Sequence, residues 1–322
     1  MRYGKLTSDE LKYSVLDVVK RRRKEVVCSA ALGEDCASFK SEKLILISTD
    51  PITGTTVDIG SLSIKVASND IYAAGGEPLL AMVTVIAPPD ESIESIREIM
   101  LDAEKEAGKH NLEIVGGHTE FSDAVNRIVV SVTVVGLTTN HIRATSPKIG
   151  DHILVTKSVG LEGSVILAHG HAGKLSLTTK EREELSSYSE KISIAKEAKL
   201  LATLPVSSMH DITEGGVLGA VAEVCEGAGL GAKIYIDLIP ITSLTKKICD
   251  KLGVNPYGLI SSGSMLITTA KPEIVKSKLK EINVESTEIG IITDGVAEAI
   301  YSDGSVLNIK TKPDQLFSKS IK

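Results

Sequence analysis

The sequence predicts an α+β fold in two domains, each a sandwich of a sheet and helices. Both halves of the chain contain β-branched runs typical of strands and apolar residues at helical spacing, without strict alternation of strand and helix. A turn-rich junction, Thr145 to Asp151 (TSPKIGD), separates the two halves. The 322 residues suffice for two domains of ordinary size. We therefore expect an N-terminal domain over residues 1–145 and a C-terminal domain over residues 146–322.

In the N-terminal half, three segments place polar residues at the ends of regular elements. Lys43 to Ser48 is a nearly continuous aliphatic run, typical of a strand buried on both faces, and Asp50 follows it. The apolar spacing from Ser61 to Ala74 predicts a helix that carries Asn69 and Asp70. Leu112 to Val115 predicts a short strand that ends in the segment GGHTE, residues 116–120.

In the C-terminal half, two patterns predict where helices begin. Thr178 and Glu181 form a capping-box pattern, which predicts a helix reaching about Thr203. The segment HDITEGG, residues 210–216, runs directly into a helix predicted over Val217 to Glu226.

Composition excludes several classes of protein. The net charge is −6 and the basic residues are dispersed, so no nucleic-acid partner is expected. The sequence has neither an apolar leader nor an 18-residue apolar run, so we expect no membrane partner and a cytoplasmic location. No C-x-x-C pair, P-loop or strand-linked G-x-G-x-x-G pattern is present.

Four aspartates indicate a magnesium site, because Mg²⁺ takes oxygen ligands and is commonly held by one or two carboxylates together with phosphate oxygens. They are Asp35, Asp50, Asp70 and Asp211. Three of them have a simpler interpretation when taken alone. Asp35 would be a loop acid, Asp70 an exposed residue near a helix end, and Asp211 an acid flanking the helix ahead of a Thr213 cap.

Paired glycines indicate a close approach to the backbone. Gly215 and Gly216 begin a predicted helix, where glycine is unfavourable and free N–H groups suit phosphate. Gly116 and Gly117 could form a similar backbone nest. His118 is either part of this site or a structural loop histidine.

The ordered set of these segments resembles a known superfamily. It contains aminoimidazole ribonucleotide (AIR) synthetase, thiamine-monophosphate kinase, selenophosphate synthetase and the hydrogenase maturation factor HypE, and its fold is called PurM-like. The resemblance covers nearly the whole chain. It rests on GEDCA (33–37), STD (48–50), DIG (58–60) followed by Asp70, GGEP (75–78), GGHT (116–119), GD (150–151) and DITEGG (211–216).

The resemblance implies an ATP- and Mg²⁺-dependent homodimer, paired through its N-terminal domains, that transfers a phosphoryl group. Carried over by position, the four aspartates are the candidate metal ligands. The candidate cofactor-binding residues implied in the same way are Thr49, Asn69, Gly117, His118, Thr119, Thr213, Gly215 and Gly216. The sequence identifies no catalytic residue.

Among the members, the chain is most similar to HypE and AIR synthase-related proteins. HypE dehydrates a carbamoyl group carried on its own C-terminal cysteine, whereas this sequence has no cysteine after Cys249. We therefore expect a carbamoyl, amide or phosphate acceptor of unknown identity, with other maturation proteins as further candidate partners. The alternatives are a small-molecule kinase or synthetase, similar to thiamine-monophosphate kinase or AIR synthetase, and a non-catalytic nucleotide-binding maturation scaffold.

Overall fold

The computed structural model describes residues 4–5, 8–29, 38–53, 55 and 57–317. The chain divides into two compact units. The first comprises residues 1–71 and 76–139, and the second comprises residues 72–75 and 140–322. The main division falls between Thr139 and Asn140, close to the turn-rich junction in the sequence.

The first unit is built on a five-stranded sheet in the order β1-β6-β5-β7-β4. Only β5 and β6 run parallel among its described pairs; the others are antiparallel. Two short strands, β2 and β3, pair separately. In chain order the elements are β1 (Gly4–Lys5), α1 (Ser8–Leu11), β2 (Val26–Cys28), β3 (Ser38–Phe39), β4 (Leu44–Ile52), α2 (Ile59–Ala73), β5 (Glu77–Ala87), α3 (Ile93–Lys109), β6 (Glu113–Phe121) and β7 (Val129–Thr138).

Strand β4 is longer and more exposed than its sequence predicts. Among the described strands its only neighbour is β7, so it is the edge strand of that sheet, and Asp50 lies within it opposite Val132. Ile47 is 69% exposed. The prediction of burial on both faces was wrong, because a continuous aliphatic run does not distinguish a two-sided core strand from one whose second apolar face is uncovered.

The GGHTE segment is a strand rather than the predicted loop. Strand β6 runs through it to Phe121 because its parallel pairing with β5 continues from Leu80 opposite Glu113 to Ala87 opposite Phe121. Gly117 has φ +150°, and a Cβ there would lie 1.8 Å from the carbonyl oxygen of Val83. At Gly117, the close approach that the glycine pair indicates is therefore made by the neighbouring strand.

The second unit is built on a seven-stranded sheet in the order β14-β13-β10-β12-β8-β11-β9. Single 3₁₀ turns occur at Ile236–Leu238, Pro256–Gly258 and Gln315–Phe317. The elements are β8 (His152–Thr156), α4 (Leu161–Gly170), α5 (Thr179–Lys191), α6 (Ala195–Leu201), β9 (Ser208–Asp211), α7 (Gly216–Ala228), β10 (Gly231–Tyr235), α8 (Ser243–Leu252), β11 (Met265–Thr269), α9 (Pro272–Glu281), β12 (Ser286–Thr293), β13 (Ala297–Ile300) and β14 (Val306–Asn308).

Alternation along the strands gives this sheet two apolar faces. Ile153 and Val155 of β8 pack in one cluster with α7, whereas Leu154 between them packs in another cluster with α6 and α9. A third cluster joins α4, α5 and α8. Helix α7 is thereby held against the sheet, so the position of its first turn is fixed by the core.

The capping box at Thr178 and Glu181 is confirmed, but the helix it begins is shorter than predicted. Helix α5 ends at Lys191 and α6 begins at Ala195. The Nζ atom of Lys157 donates hydrogen bonds to the carbonyl oxygens of Lys191 and Ser193, at 3.0 and 2.9 Å. Lys157 thus contacts the chain where the predicted single helix is interrupted, and it satisfies carbonyl groups at the end of α5.

No helix within the described ranges combines the length and apolar character needed to cross a membrane.

Candidate functional site

In the first unit, two of the predicted metal ligands lie on the same side of the sheet. The Ser48 hydroxyl of β4 donates to the carboxylate of Asp70 on α2, so Ser48 points toward the helix. Asp50 is two residues further along β4 and therefore faces the same side. Both aspartates are half-buried. The structure thus brings an acid on a strand and an acid on a helix to one face, with Ser48 orienting one of them.

The other polar residues of this unit are divided between its two faces. Asn69 is fully buried in α2 beside Asp70. Thr49, between Ser48 and Asp50, points to the opposite side of the sheet and accepts a hydrogen bond of 2.9 Å from Thr133. The sequence places Thr49 next to Asp50, but strand alternation separates their side chains.

The GGHT residues are divided in the same way. His118 is part-exposed, and its Nε2 lies 3.2 Å from a carboxylate oxygen of Glu120, two residues along β6. It lies beside Thr84 of β5, across from Ser131 of β7. Thr119 is buried on the other face. His118 and Thr119 therefore point to opposite faces of the sheet, so only one of these two candidate cofactor-binding residues can lie on the same face as Asp50.

The donor set fits Mg²⁺ held jointly with a ligand rather than by protein alone. Among the described residues, no group of three or more His, Cys, Asp or Glu side chains is arranged to hold a metal ion. Asp50 and Asp70 supply two carboxylates, the number that Mg²⁺ commonly takes when phosphate and water complete its shell. Asp35 lies outside the described residues, and its predicted role stays a prediction.

Asp211, the fourth predicted ligand, ends β9 in the second unit and is buried. Its neighbour His210 lies 3.0 Å from Glu223 through Nε2 and 3.8 Å from Asp211 through Nδ1. Thr213 follows in the loop before α7, where its carbonyl oxygen accepts from Gly216 N at 3.1 Å. The metal role of Asp211 and the cofactor role of Thr213 remain predictions.

The glycine pair at the start of α7 is engaged by the chain itself. Gly215 has φ +79° and Gly216 has φ +63°. The Gly215 N–H donates to Oδ2 of Asp314 at 2.8 Å. A Cβ on Gly216 would lie 2.6 Å from the carbonyl oxygen of Tyr257. The close approach indicated by the sequence is real, but in this structure a carboxylate and a turn of the same protein make it.

Around this helix start lies a group of buried acids that sequence reasoning missed. Glu162, in the first turn of α4, and Asp314 are both buried. Burial, the largest cause, and the negative charges of Asp314 and Glu214 together raise the pKa of Glu162 to about 7, although hydrogen bonding to Ser262 opposes the rise. Burial also raises the pKa of Asp314. No periodicity or motif in the sequence identifies these two acids.

One buried lysine and two buried cysteines of the second unit have structural roles. Lys157 uses its ammonium on two carbonyls and on Glu197, at 2.7 Å, and burial lowers its pKa. Cys225 and Cys249 are free and buried, and burial raises the pKa of their thiols to about 11 and about 12. Because a thiolate is the nucleophilic form, neither cysteine is suited to nucleophilic catalysis.

The fold and its motifs define a two-domain protein of the PurM-like class. The N-terminal domain of AIR synthase related proteins matches residues 33–138, and the C-terminal domain of the same proteins matches residues 148–303. The chain belongs to the AIR synthase related family.

The relatives of the chain include maturation proteins and kinases. It is 27% identical to a putative hydrogenase expression/formation protein of Methanocaldococcus jannaschii, over 67% of this chain and 63% of that protein, so the match spans less than two thirds of the relative. It is 25% identical to carbamoyl dehydratase HypE of Rhodobacter capsulatus, over 76% and 71%. It is 23% identical to thiamine-monophosphate kinase of Aquifex aeolicus, over 92% and 96%.

Solved structures share the fold. HypE in complex with ATP superposes with a TM-score of 0.77 at 18% identity, covering 90% of each chain. HypE of E. coli superposes with a TM-score of 0.79 at 19% identity, covering 90% of this chain and 94% of that one. The predicted PurM-like fold is confirmed.

Proposed function

We propose that the protein binds ATP together with Mg²⁺ and uses the nucleotide to activate a carbamoyl, amide or phosphate acceptor by phosphoryl transfer. The observation that carries this proposal is the placement of Asp50 and Asp70 on one face of the first unit, with Asp70 oriented by Ser48. Family membership supports it, as does the ATP named for one structural neighbour.

In this proposal the acids bind and orient the nucleotide complex. The Ser48 hydroxyl holds the Asp70 carboxylate, so little side-chain freedom is lost when a ligand binds. Asp50 presents the second carboxylate from the strand. Bound Mg²⁺ would offset the phosphate charge, and catalysis would rest mainly on positioning and charge stabilisation. The ligand roles of Asp35 and Asp211 stay predictions from the sequence.

Removing one carboxylate charge should weaken Mg²⁺-dependent nucleotide binding. We expect Asp70→Asn to raise the Kd for ATP in excess Mg²⁺ at least about tenfold, since a charge-assisted contact is worth about 1.5–3 kcal/mol. Asp50→Asn should act in the same direction. Isothermal titration calorimetry of the full chain measures both.

Asp123→Asn is the matched control, because Asp123 is an exposed aspartate in the turn after β6 of the same unit. This variant should bind as the unchanged protein does. Normal binding by both the Asp50 and Asp70 variants would disprove the metal assignment, and no ATP binding by the unchanged protein would disprove the proposed function.

Two relationships favour different acceptors. A HypE–HypF complex among the structural neighbours supports a maturation role in which the chain acts with a second protein. The match to thiamine-monophosphate kinase extends over nearly the full length of both chains, which supports a phosphate-ester acceptor instead. Release of phosphate and ADP, measured with carbamoyl, amide and phosphate-ester compounds in turn, distinguishes these two kinds of acceptor. ATP binding without turnover on any of them would favour the non-catalytic scaffold.

A further inference from the structure

A segment near the end of the described chain crosses the start of α7. This segment, residues 310–316, is here called the strap. Its Asp314 is 3% exposed, accepting from Gly215 N through Oδ2 and from Leu316 N through Oδ1, both at 2.8 Å. The Leu316 side chain packs against the α4–α5–α8 cluster. The strap is thus held at Asp314 and at Leu316.

Asp314 occupies the position that an anion would take. Gly215 caps the 13-residue helix α7 from a left-handed conformation and has no side chain of its own with which to cap it. A helix N-terminus presents N–H groups and partial positive charge, and it favours carboxylate and phosphate alike. The Asp314 carboxylate therefore makes the contact that a phosphate oxygen would make with the Gly215 amide.

A second feature of this place is a buried acid, Glu162. Glu162 is 4% exposed, and its Oε2 has no hydrogen-bond partner in the described part of the chain. The negative charges of Asp314 and Glu214 both act on its carboxyl group and raise its pKa. A buried polar atom without a partner is unfavourable, and a ligand oxygen beside the Gly215 amide would satisfy a protonated Glu162.

We propose that the strap is an internal competitor for nucleotide: Asp314 occupies the Gly215 amide that a phosphate group requires, and the strap must leave α7 before that phosphate binds. This inference rests on the proposed function and adds a regulatory step to it. The apparent affinity for nucleotide is then lowered by the fraction of molecules whose strap is closed. Any partner or condition that detaches residues 310–316 would raise that affinity.

The test compares Asp314→Ala with Asp294→Ala. Asp294 is an exposed aspartate in the turn between β12 and β13 of the same unit, so it controls for the loss of one charge. We expect Asp314→Ala to bind ATP–Mg²⁺ at least about tenfold more tightly than the unchanged protein, because the lost contact is a charge-assisted hydrogen bond. Asp294→Ala should leave the Kd unchanged. Asp314→Asn keeps the shape of the side chain and an acceptor oxygen, and it is the variant to use if Asp314→Ala fails to fold. Its Kd for ATP–Mg²⁺ should be lower than that of the unchanged protein, by less than the change expected for Asp314→Ala.

Hydrogen exchange gives a readout that does not depend on nucleotide. The Gly215 amide should exchange faster in Asp314→Ala, and inorganic pyrophosphate should slow it again in that variant more than in the unchanged protein. ATP binding that is equal or weaker in Asp314→Ala would overturn the competition. If no variant binds ATP but pyrophosphate still protects Gly215 in Asp314→Ala, the proposed function fails, while the competition between Asp314 and a phosphate group for the Gly215 amide stands. If pyrophosphate protects nothing, the inference fails as well.

Discussion

At the scale of single residues, Glu162 is a buried acid whose pKa is raised well above its usual value. It is buried in the first turn of α4, and the groups that face it are Asp314 from the strap, Glu214 from the loop before α7 and the polar Ser262. Burial is the main reason that its pKa rises to about 7. The side chain is consequently neutral in the folded protein at pH values where it would be charged in the unfolded chain.

This gives the stability a definite dependence on pH. An acid whose pKa is raised on folding contributes stability that is fully present below its unfolded value, near 4.5, and lost as pH rises through about 7. The free energy of unfolding of the unchanged protein, relative to that of Glu162→Gln, should therefore fall between pH 5 and pH 8. The expected change is on the order of 3 kcal/mol, since one pKa unit corresponds to about 1.4 kcal/mol.

Urea unfolding at a series of pH values measures this difference. Glu183→Gln on α5, where the side chain is exposed, is the control and should show no such trend. A constant difference between the unchanged protein and Glu162→Gln across the range would mean that Glu162 is ionised in the folded state.

At the scale of elements, the start of α7 is shaped by its packing on the 3₁₀ turn Pro256–Gly258. Gly216 has φ +63°, and a Cβ there would lie within 3 Å of three backbone atoms of Tyr257 and Leu259. At the other end of the same helix, Gly229 has φ +67° but open space around it. The two glycines share a backbone conformation and differ in packing.

This pair separates backbone strain from steric collision. Gly229→Ala should destabilise the protein by about 1 kcal/mol, the usual cost of a left-handed non-glycine residue. Gly216→Ala should cost about 2–4 kcal/mol, because the turn must also move. Chemical denaturation of both variants gives the comparison. Equal losses would show that the turn yields easily and that packing does not require Gly216.

At the scale of the whole molecule, the first sheet has an apolar face with no cover in the described chain. On the side away from α2 it exposes Ile45, Ile47 and Met82, with Ile47 69% exposed. Large exposed apolar patches mark association sites. We propose that a second copy of the chain covers this face, which agrees with the N-terminal pairing that the family resemblance implies.

Placing a charge on this face should separate the copies. The unchanged protein should have twice the mass of one chain by size-exclusion chromatography with light scattering, and Ile47→Lys should shift it toward one chain, because a buried unpaired charge is strongly unfavourable in an interface. Val296→Lys is the matched control, since Val296 is 60% exposed in the second unit. A monomeric unchanged protein would contradict the proposal, and so would a dimeric Ile47→Lys variant.

What the sequence determined by itself is the fold class and the residue types of the candidate site. Strand and helix periods are local, so α2 and the Thr178 capping box could be predicted directly, and the ordered motifs identified the family. Which side of a strand a residue faces is also implied by alternation, but the choice of the covered face depends on distant partners. The tertiary structure therefore decided that β4 extends through Thr49 and Asp50, so that their side chains point to opposite faces of the sheet. It also decided that the GGHTE segment is part of β6 and that one face of β4 is exposed.

The same reason applies to the acids around α7. Glu162 and Asp314 are 152 residues apart in the sequence, and neither lies in a recognisable pattern. Burial raises the pKa of both acids, and the charge of Asp314 also raises that of Glu162, an environment that only the assembled sheet, helices and strap provide. The sequence showed that glycines begin α7 and that an anion would suit them. The tertiary structure showed that the chain supplies an anion of its own, because residues 310–316 lie across that helix end.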